Sequence, residues 1–355
     1  MPPIAPELPV PPDPDVVIAW EALPSAHGAP RVTGRVRAAP EDFVVEEVLG
    51  FDPAGHGQHV LVQVRKRGVD TPRVATALAA LAGVPAVGVG YSGLKDRRAV
   101  TTQWLSVDLA GRPEPDWAAL GVEGVEVLAA HRHDRKLRRG AHRANRFVLT
   151  VRELAGDRAG LEARLARVAE AGVPNYFGEQ RFGRGGANPA KAFALLRGEG
   201  RVRDRTERGL LLSAARAVLF NRVLAARVVA GSWDRALPGE VLMLDGRHSW
   251  FVADEVGDEL RDRVARGEVH PTGPLWGRGE PGSQSEARAV EAAALECCEA
   301  WCEGLERAGL EQDRRALRVV PRDLAWEPLT GGVLRLSLTL PAGAYATTVL
   351  RELVG

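Results

Sequence analysis

The stretch Val87 to Val107, VGVGYSGLKDRRAVTTQWLSV, decides how this chain is read. A short apolar run leads into a glycine-bounded turn carrying Lys95 and Asp96; two arginines follow, then a second strand-like run. Gly88, Gly90 and Gly93 permit backbone geometry and close approach that a side chain would obstruct, so the turn can set one acid against a bulky ligand. Asp96 stands among Lys95, Arg97 and Arg98. Neighbouring positive charge favours a carboxylate, the form that acts as nucleophile or base. Gly-x-Lys-Asp alone also fits a surface turn whose charges are merely solvated.

Outward from the turn, the patterning predicts a sheet with helices. Val32 to Val48 has strand character around Pro40-Glu41, with DFVVEE (Asp42 to Glu47) following, and His59 to Val64 is a second apolar strand. Phe43 in such a strand reads as core. Thr71-Pro72 opens a helix through Leu81, with Thr71 as N-cap, Gly83 as stop and Val74, Leu78 and Leu81 as its inward stripe. Beyond the turn, Phe147 to Val151 alternates as a strand, Asp157 to Ala171 reads as a helix, and Val173-Pro174 marks a boundary. From about residue 175 to 318 the texture changes to glycine-rich turns and long helices, predicted at Ser213–Ala230 and Ser285–Glu306. LRLSLTL then alternates Leu334, Leu336, Leu338 and Leu340 with polar residues, a half-buried strand that returns to the first sheet.

Length and composition set the bounds. A chain of 355 residues, 45% hydrophobic and 26% charged, reads as globular with two domains. No uninterrupted apolar stretch is long enough to cross a bilayer, so no membrane role is expected. The opening MPPIAPELPVPPDPD lacks a basic segment followed by an apolar core and reads as an extended proline-rich arm, which places the protein in the cytoplasm. A net charge of +1 hides the run His131 to Arg146, HRHDRKLRRGAHRANR, where seven cations face the single acid Asp134. Such a run attracts phosphate backbones, with Arg138, Arg139 and Arg143 as candidate contacts. A solvated basic face is the plainer alternative. Arg181, Arg184 and Lys191 around the glycines of RFGRGGANPAK fit either a phosphate nest or a structural turn. Cys297, Cys298 and Cys302 recur with Val290, Ala294, Trp301 and Leu305 at helical spacing and read as buried packing, not a disulfide framework. The histidines of the basic run lack adequate thiol or carboxylate neighbours, so no metal is expected.

The Val87–Val107 segment, taken whole with Ala99, Val100, Thr101, Gln103 and Trp104, resembles the signature of the TruD family of tRNA pseudouridine synthases. NRFVLTVRE (Asn145 to Glu153), VPNYFGEQRFG (Val173 to Gly183), SAARAVLFNRVLAARV (Ser213 to Val228) and LPAGAYATTVLREL (Leu340 to Leu353) resemble further segments of that family, in the family's order. The resemblance implies an α+β fold: a pseudouridine synthase catalytic domain on a mixed, largely antiparallel sheet (residues 31–174 and 319–355, after an arm at 1–30), with a second α/β domain (175–318) inserted. It implies conversion of uridine 13 in the tRNA D-arm to pseudouridine, without cofactor, metal or obligate protein partner. Asp96 would act on the ribose, by attacking C1′ or by removing the 2′ proton. Phe43 and Tyr345 would give aromatic faces to the flipped base, Asn145 would hold the uracil, and Lys95 would contact RNA. The chain departs from the family pattern at Leu338, where an aromatic is common, at Leu94 before the Lys-Asp pair, and at Glu240 in place of Asp. A tRNA-binding protein without chemistry and a glycosidase-like hydrolase are the competing classes. A small neutral substrate would need no phosphate field.

Overall fold

The computed structural model describes residues 16–355. In chain order its first stretch comprises β1 (Val32–Val36), β2 (Phe43–Val48), β3 (His59–Arg67), α1 (Thr71–Leu81), β4 (Val89–Tyr91), β5 (Val100–Asp108), β6 (Val125–His133) and β7 (Ala144–Gly156). Then come α2 (Arg158–Ala171), β8 (Val173–Pro174), α3 (Asn188–Leu196), α4 (Arg205–Val229), β9 (Glu240–Leu244), β10 (Trp250–Ala253), α5 (Asp258–Ala265) and β11 (Val269–Leu275). The chain ends through α6 (Ser285–Leu295), α7 (Glu299–Arg307), β12 (Asp313–Ala316), β13 (Arg318–Val319), β14 (Arg322–Leu329), β15 (Val333–Pro341) and α8 (Ala346–Leu353).

Two compact units result. One comprises residues 31–162, 321–343 and 354–355 and holds a mixed sheet of order β14-β15-β7-β2-β5-β3-β6, with β1 added on β7 and β4 on β5. Every pairing is antiparallel except β2 with β5, which run parallel with Val44 opposite Val100. That one parallel pair decides where chemistry can sit, because it sets the start of β5, just past the Asp96 turn, beside the start of β2 at Phe43. The LRLSLTL strand does return to this sheet: β15 pairs with β7 from Leu334 opposite Val151 to Pro341 opposite Ala144. Its four leucines are all 2% exposed or less, as period-2 burial requires. Helix α1 covers Val60, Val62, Val64, Leu105 and Val107 with Val74 and Leu78. Its N-cap is Asp70, whose carboxylate accepts from the Arg73 N–H at 2.8 Å. Thr71, expected in that role, is the first helical residue, and its hydroxyl is used elsewhere.

The other unit comprises the described residues 16–30 together with 163–320 and 344–353. Its sheet, β10-β9-β11-β12, is antiparallel and packs with α4, and β8 pairs with β13. α4 is apolar and long enough to span a bilayer by length and composition, yet most of that stretch is buried, so it is the unit's central core helix. Asn221 within α4 accepts from Phe177 N–H and donates to Phe177 C=O, so a buried amide is satisfied on both edges. The predicted second long helix is broken by a 3-10 turn at Glu296–Cys298. That break leaves Cys297 exposed, while Cys298 and Cys302 are buried as expected.

Contacts draw the division differently from the sequence texture. Residues 163–174 and 344–353 group with the 175–318 segment, because α2 carries the chain into that unit and α8 packs against β8. The first part of the proline-rich arm lies outside the described residues. The rest is packed, with Val16 1% and Leu23 3% exposed in the cores built on α4.

Candidate active site

Strand β3 explains why the Lys95–Asp96 turn holds its shape. Lys66 falls in phase with Val60, Val62 and Val64 and is 1% exposed. Its ammonium donates to the carbonyls of Val69 (2.9 Å), Lys95 (3.1 Å) and Asp96 (3.0 Å). Burial lowers the Lys66 pKa to about 8, against the opposing pull of Asp96 and Asp70. Thr71 adds a second anchor: its Oγ1 accepts from the Lys95 N–H at 3.1 Å and donates to Gln103 Oε1 at 2.8 Å. Of the three glycines, Gly90 is the one whose absent side chain matters. A Cβ there would stand 2.5 Å from the Leu137 carbonyl and 2.7 Å from Ser106 Oγ, whereas at Gly88 and Gly93 it would meet nothing nearer than 3.5 Å.

The Asp96 side chain is one-quarter exposed. Oδ1 accepts from the Arg98 N–H at 2.9 Å, and Oδ2 lies 3.4 Å from Arg37 Nη1. Arg37 itself has φ +55°, the left-handed region that non-glycine residues rarely occupy, at the bend between β1 and β2. Its guanidinium centre stacks 4.1 Å from the centre of the Phe43 ring. Phe43 is buried and meets Phe147 edge-on at 6.0 Å. Leu338 is buried directly across from Phe147 on β15.

Lys95 points the other way, into the sheet. Its ammonium lies 2.7 Å from Glu47 Oε2 and donates to Asn145 Oδ1 at 2.8 Å. Glu47 and Asn145 are direct cross-strand partners on β2 and β7. The Glu47 side chain is fully buried and its Oε1 accepts from the Trp104 N–H at 3.3 Å. Breaking such a buried pair from one side typically costs about 3–5 kcal/mol, because the other charge is stranded. Asn145 Nδ2 then lies 3.2 Å from Nε2 of buried His142. The chain Glu47–Lys95–Asn145–His142 thus runs beside the Asp96 turn.

The structure therefore brings together Asp96, Lys95, Asn145 and, through Arg37, Phe43. Arg138, Arg139 and Arg143 are exposed in the connection between β6 and β7, and Arg139 covers the Tyr91 ring at 4.4 Å. Tyr345 belongs to the other unit. There it is half-buried, meets Phe177 edge-on at 6.1 Å and receives a hydrogen bond from Arg181 Nε at 3.1 Å. Arg181 also reaches Ser213 Oγ at 3.1 Å, leaving Arg184 and Lys191 as the exposed cations of the glycine-rich turn. Among the described residues no group of three or more His, Cys, Asp or Glu side chains is placed to hold a metal ion. Glu240 forms a buried pair with Arg227 at 2.8 Å, far along the sequence from this chemistry.

From sequence, Arg37, Glu47 and Lys66 carry no assigned role, and His142 is weighed only as a metal ligand. Two left a signal: Glu47 shares the inward face of Phe43 and Val45, and Lys66 that of Val60 to Val64. A charge in phase with a buried face needs a partner. Arg37 and His142 lie in irregular segments, where no periodicity marks them.

The family model described as tRNA pseudouridine synthase D (TruD) matches residues 25–199 and 201–353. A Methylococcus capsulatus protein named tRNA pseudouridine synthase D is 51% identical over 335 residues, covering 94% of this chain and 95% of its own. A Xanthomonas euvesicatoria protein of the same name is 49% identical over 347 residues, 93% of this chain and 94% of its own. A crystal structure from Methanosarcina mazei bearing the TruD name superposes with a TM-score of 0.65 at 20% identity, over 96% of this chain and 97% of that one. At that identity the likeness speaks for the α+β fold alone. Fold and relatives together define the class: a pseudouridine synthase, an isomerase that forms pseudouridine in tRNA. Within that class, the chain belongs to the TruD family.

Proposed function

We propose that the protein isomerises uridine 13 in the tRNA D-arm, with Asp96 as the group that acts on the ribose. The observation that carries this reading is the Asp96 carboxylate, partly exposed on a turn clamped from beneath by Lys66 and held at its two oxygens by Arg98 N–H and Arg37. A carboxylate so fixed is preorganised for one reacting atom. On one route it bonds to C1′ as the C1′–N1 bond breaks and uracil leaves as its anion. On the other it takes the 2′ proton as the same bond breaks, leaving a glycal. In either case the uracil turns and C5 bonds to C1′, on the first route as the Asp96–C1′ bond breaks and releases the carboxylate, on the second as Asp96 returns its proton to C2′. The C5 proton is then lost and N1 is protonated, so the product is an isomer of the substrate. No cofactor enters the balance.

The target base must leave its stack to reach the turn, and an aromatic face offsets the lost stacking. Phe43, with Arg37 laid over it, and Tyr345 are the faces assigned here, and Asn145 is the residue that reads uracil. Arg138, Arg139 and Arg143, exposed in the connection between β6 and β7, are assigned to tRNA phosphates, with Lys95 acting inside the site. Residues 31–174 and 319–355 are assigned the catalytic role, with 175–318 inserted, and the cytoplasm as the site of action. The test is to incubate the protein with unmodified tRNA transcript and map pseudouridine by carbodiimide-dependent reverse-transcription stops. A stop at uridine 13 supports the reading; a stop only elsewhere in the tRNA refutes the assignment of target.

A further inference from the structure

His142 has no part in the reading above, yet the site's hydrogen-bond logic runs through it. Lys95 can only donate, so the Asn145 atom it meets at 2.8 Å is the carbonyl oxygen. The amide NH2 is thereby turned toward His142 Nε2, 3.2 Å away. An NH2 group only donates, so Nε2 must accept, and the ring is neutral with its hydrogen on Nδ1. Nδ1 is buried with no partner among the described residues, and a Cβ added at Gly93 in the Asp96 turn would sit 3.7 Å from the ring's Cε1. Burial and the nearby Lys95 charge hold the His142 pKa down to about 4, so the ring keeps its accepting nitrogen at neutral pH.

Asn145 is left with one lone pair on Oδ1 and one hydrogen on Nδ2. Uracil presents a donor at N3 flanked by acceptors at O4 and O2; cytosine presents a donor at C4 and an acceptor at N3. An amide free to turn over would satisfy either base, whereas a fixed one matches a single order of donor and acceptor.

The geometry points to His142 as a positioning and specificity residue: with Lys95 it locks the Asn145 amide in the orientation that accepts uracil and opposes cytosine. This rests on the reading that Asn145 meets the target base, and the two are separable by experiment. In 15N-histidine-labelled protein, long-range 1H–15N correlation at neutral pH should give His142, identified by its loss in His142→Gln, as the Nδ1–H tautomer. An Nε2–H tautomer overturns the lock without touching the assignment of the base. Discrimination is read as the inhibition constant of a tRNA transcript with cytidine at the modified position, divided by the KM of the uridine transcript. His142→Leu should shrink that ratio about tenfold through loss of one buried hydrogen bond. His142→Gln, whose Oε1 can accept the same hydrogen, should restore most of it. Equal ratios in parent and His142→Leu, beside a collapsed ratio in Asn145→Ala, overturn the lock alone. An unchanged ratio in Asn145→Ala overturns the assignment of Asn145 and the specificity role with it.

Discussion

Replacing Lys66 with methionine separates two opposing effects of one buried ammonium. Burial lowers its pKa from 10.5 to about 8. At 1.36 kcal/mol per unit, carrying that charge below pH 8 disfavours folding by about 3 kcal/mol, and methionine removes the penalty. Methionine also leaves the Val69, Lys95 and Asp96 carbonyls without their shared donor, at about 1–3 kcal/mol for each buried acceptor. The three lost acceptors cost about 3–9 kcal/mol together and the removed penalty offsets about 3 of that, so the unfolding free energy should fall by about 0–6 kcal/mol, while Asp96 loses its clamp and kcat falls about 100-fold or more. The parent carries a pH signature of the same group. Its folded pKa lies below the unfolded one, so the unfolded chain binds more protons between about pH 8 and 10.5 and stability rises with pH in that window. Activity should move the opposite way, declining above about pH 8 as the clamp loses its charge. Burial is the main cause of the lowered midpoint; among the charged groups Asp96 and Asp70 raise it and Lys95 lowers it. Urea unfolding and single-turnover pseudouridine formation, run on parent and Lys66→Met across this range, give both quantities. A Lys66→Met protein with kcat within about threefold of the parent, a difference below 1 kcal/mol, would refute the reasoning.

Two further outcomes test the scaffold and the RNA face. Gly90→Ala places a methyl 2.5 Å from the Leu137 carbonyl, backbone that cannot swing aside; urea unfolding should register a loss of about 1–3 kcal/mol. Changing Arg138, Arg139 and Arg143 together to alanine should weaken tRNA binding and lower the slope of log affinity against log salt by about 0.7–0.9 for each phosphate no longer neutralised; an unchanged slope in a salt titration would remove them from the tRNA interface.

Much of the fold was legible because its elements are periodic. The alternation from Leu334 to Leu340 foretold both the burial of β15 and its return to the first sheet, and the Val74–Leu78 stripe foretold the buried face of α1. Where local rules failed, a tertiary contact had decided the matter: Thr71 gave up the N-cap position to Asp70 and spent its hydroxyl on Lys95 and Gln103. The site was half legible. Asp96, Lys95 and Asn145 stand in segments with a recognisable family pattern, but the residues that hold them are brought in by sheet register. Glu47 reaches Asn145 only because β2 and β7 pair as they do, and Arg37 reaches Asp96 only through a left-handed bend that no local pattern announces.

In the proposed function the Asp96 carboxylate performs the chemistry on a tRNA that the rest of the protein holds. Asp96→Asn keeps the side chain's shape and its ability to accept from Arg98 N–H while removing the nucleophile or base. Single-turnover incubation with excess protein and unmodified tRNA, alongside a binding titration, reads both halves. The account predicts tRNA affinity within about threefold of the parent, a difference below 1 kcal/mol, with no pseudouridine formed. Pseudouridine appearing in the Asp96→Asn protein at the parent's rate would contradict it.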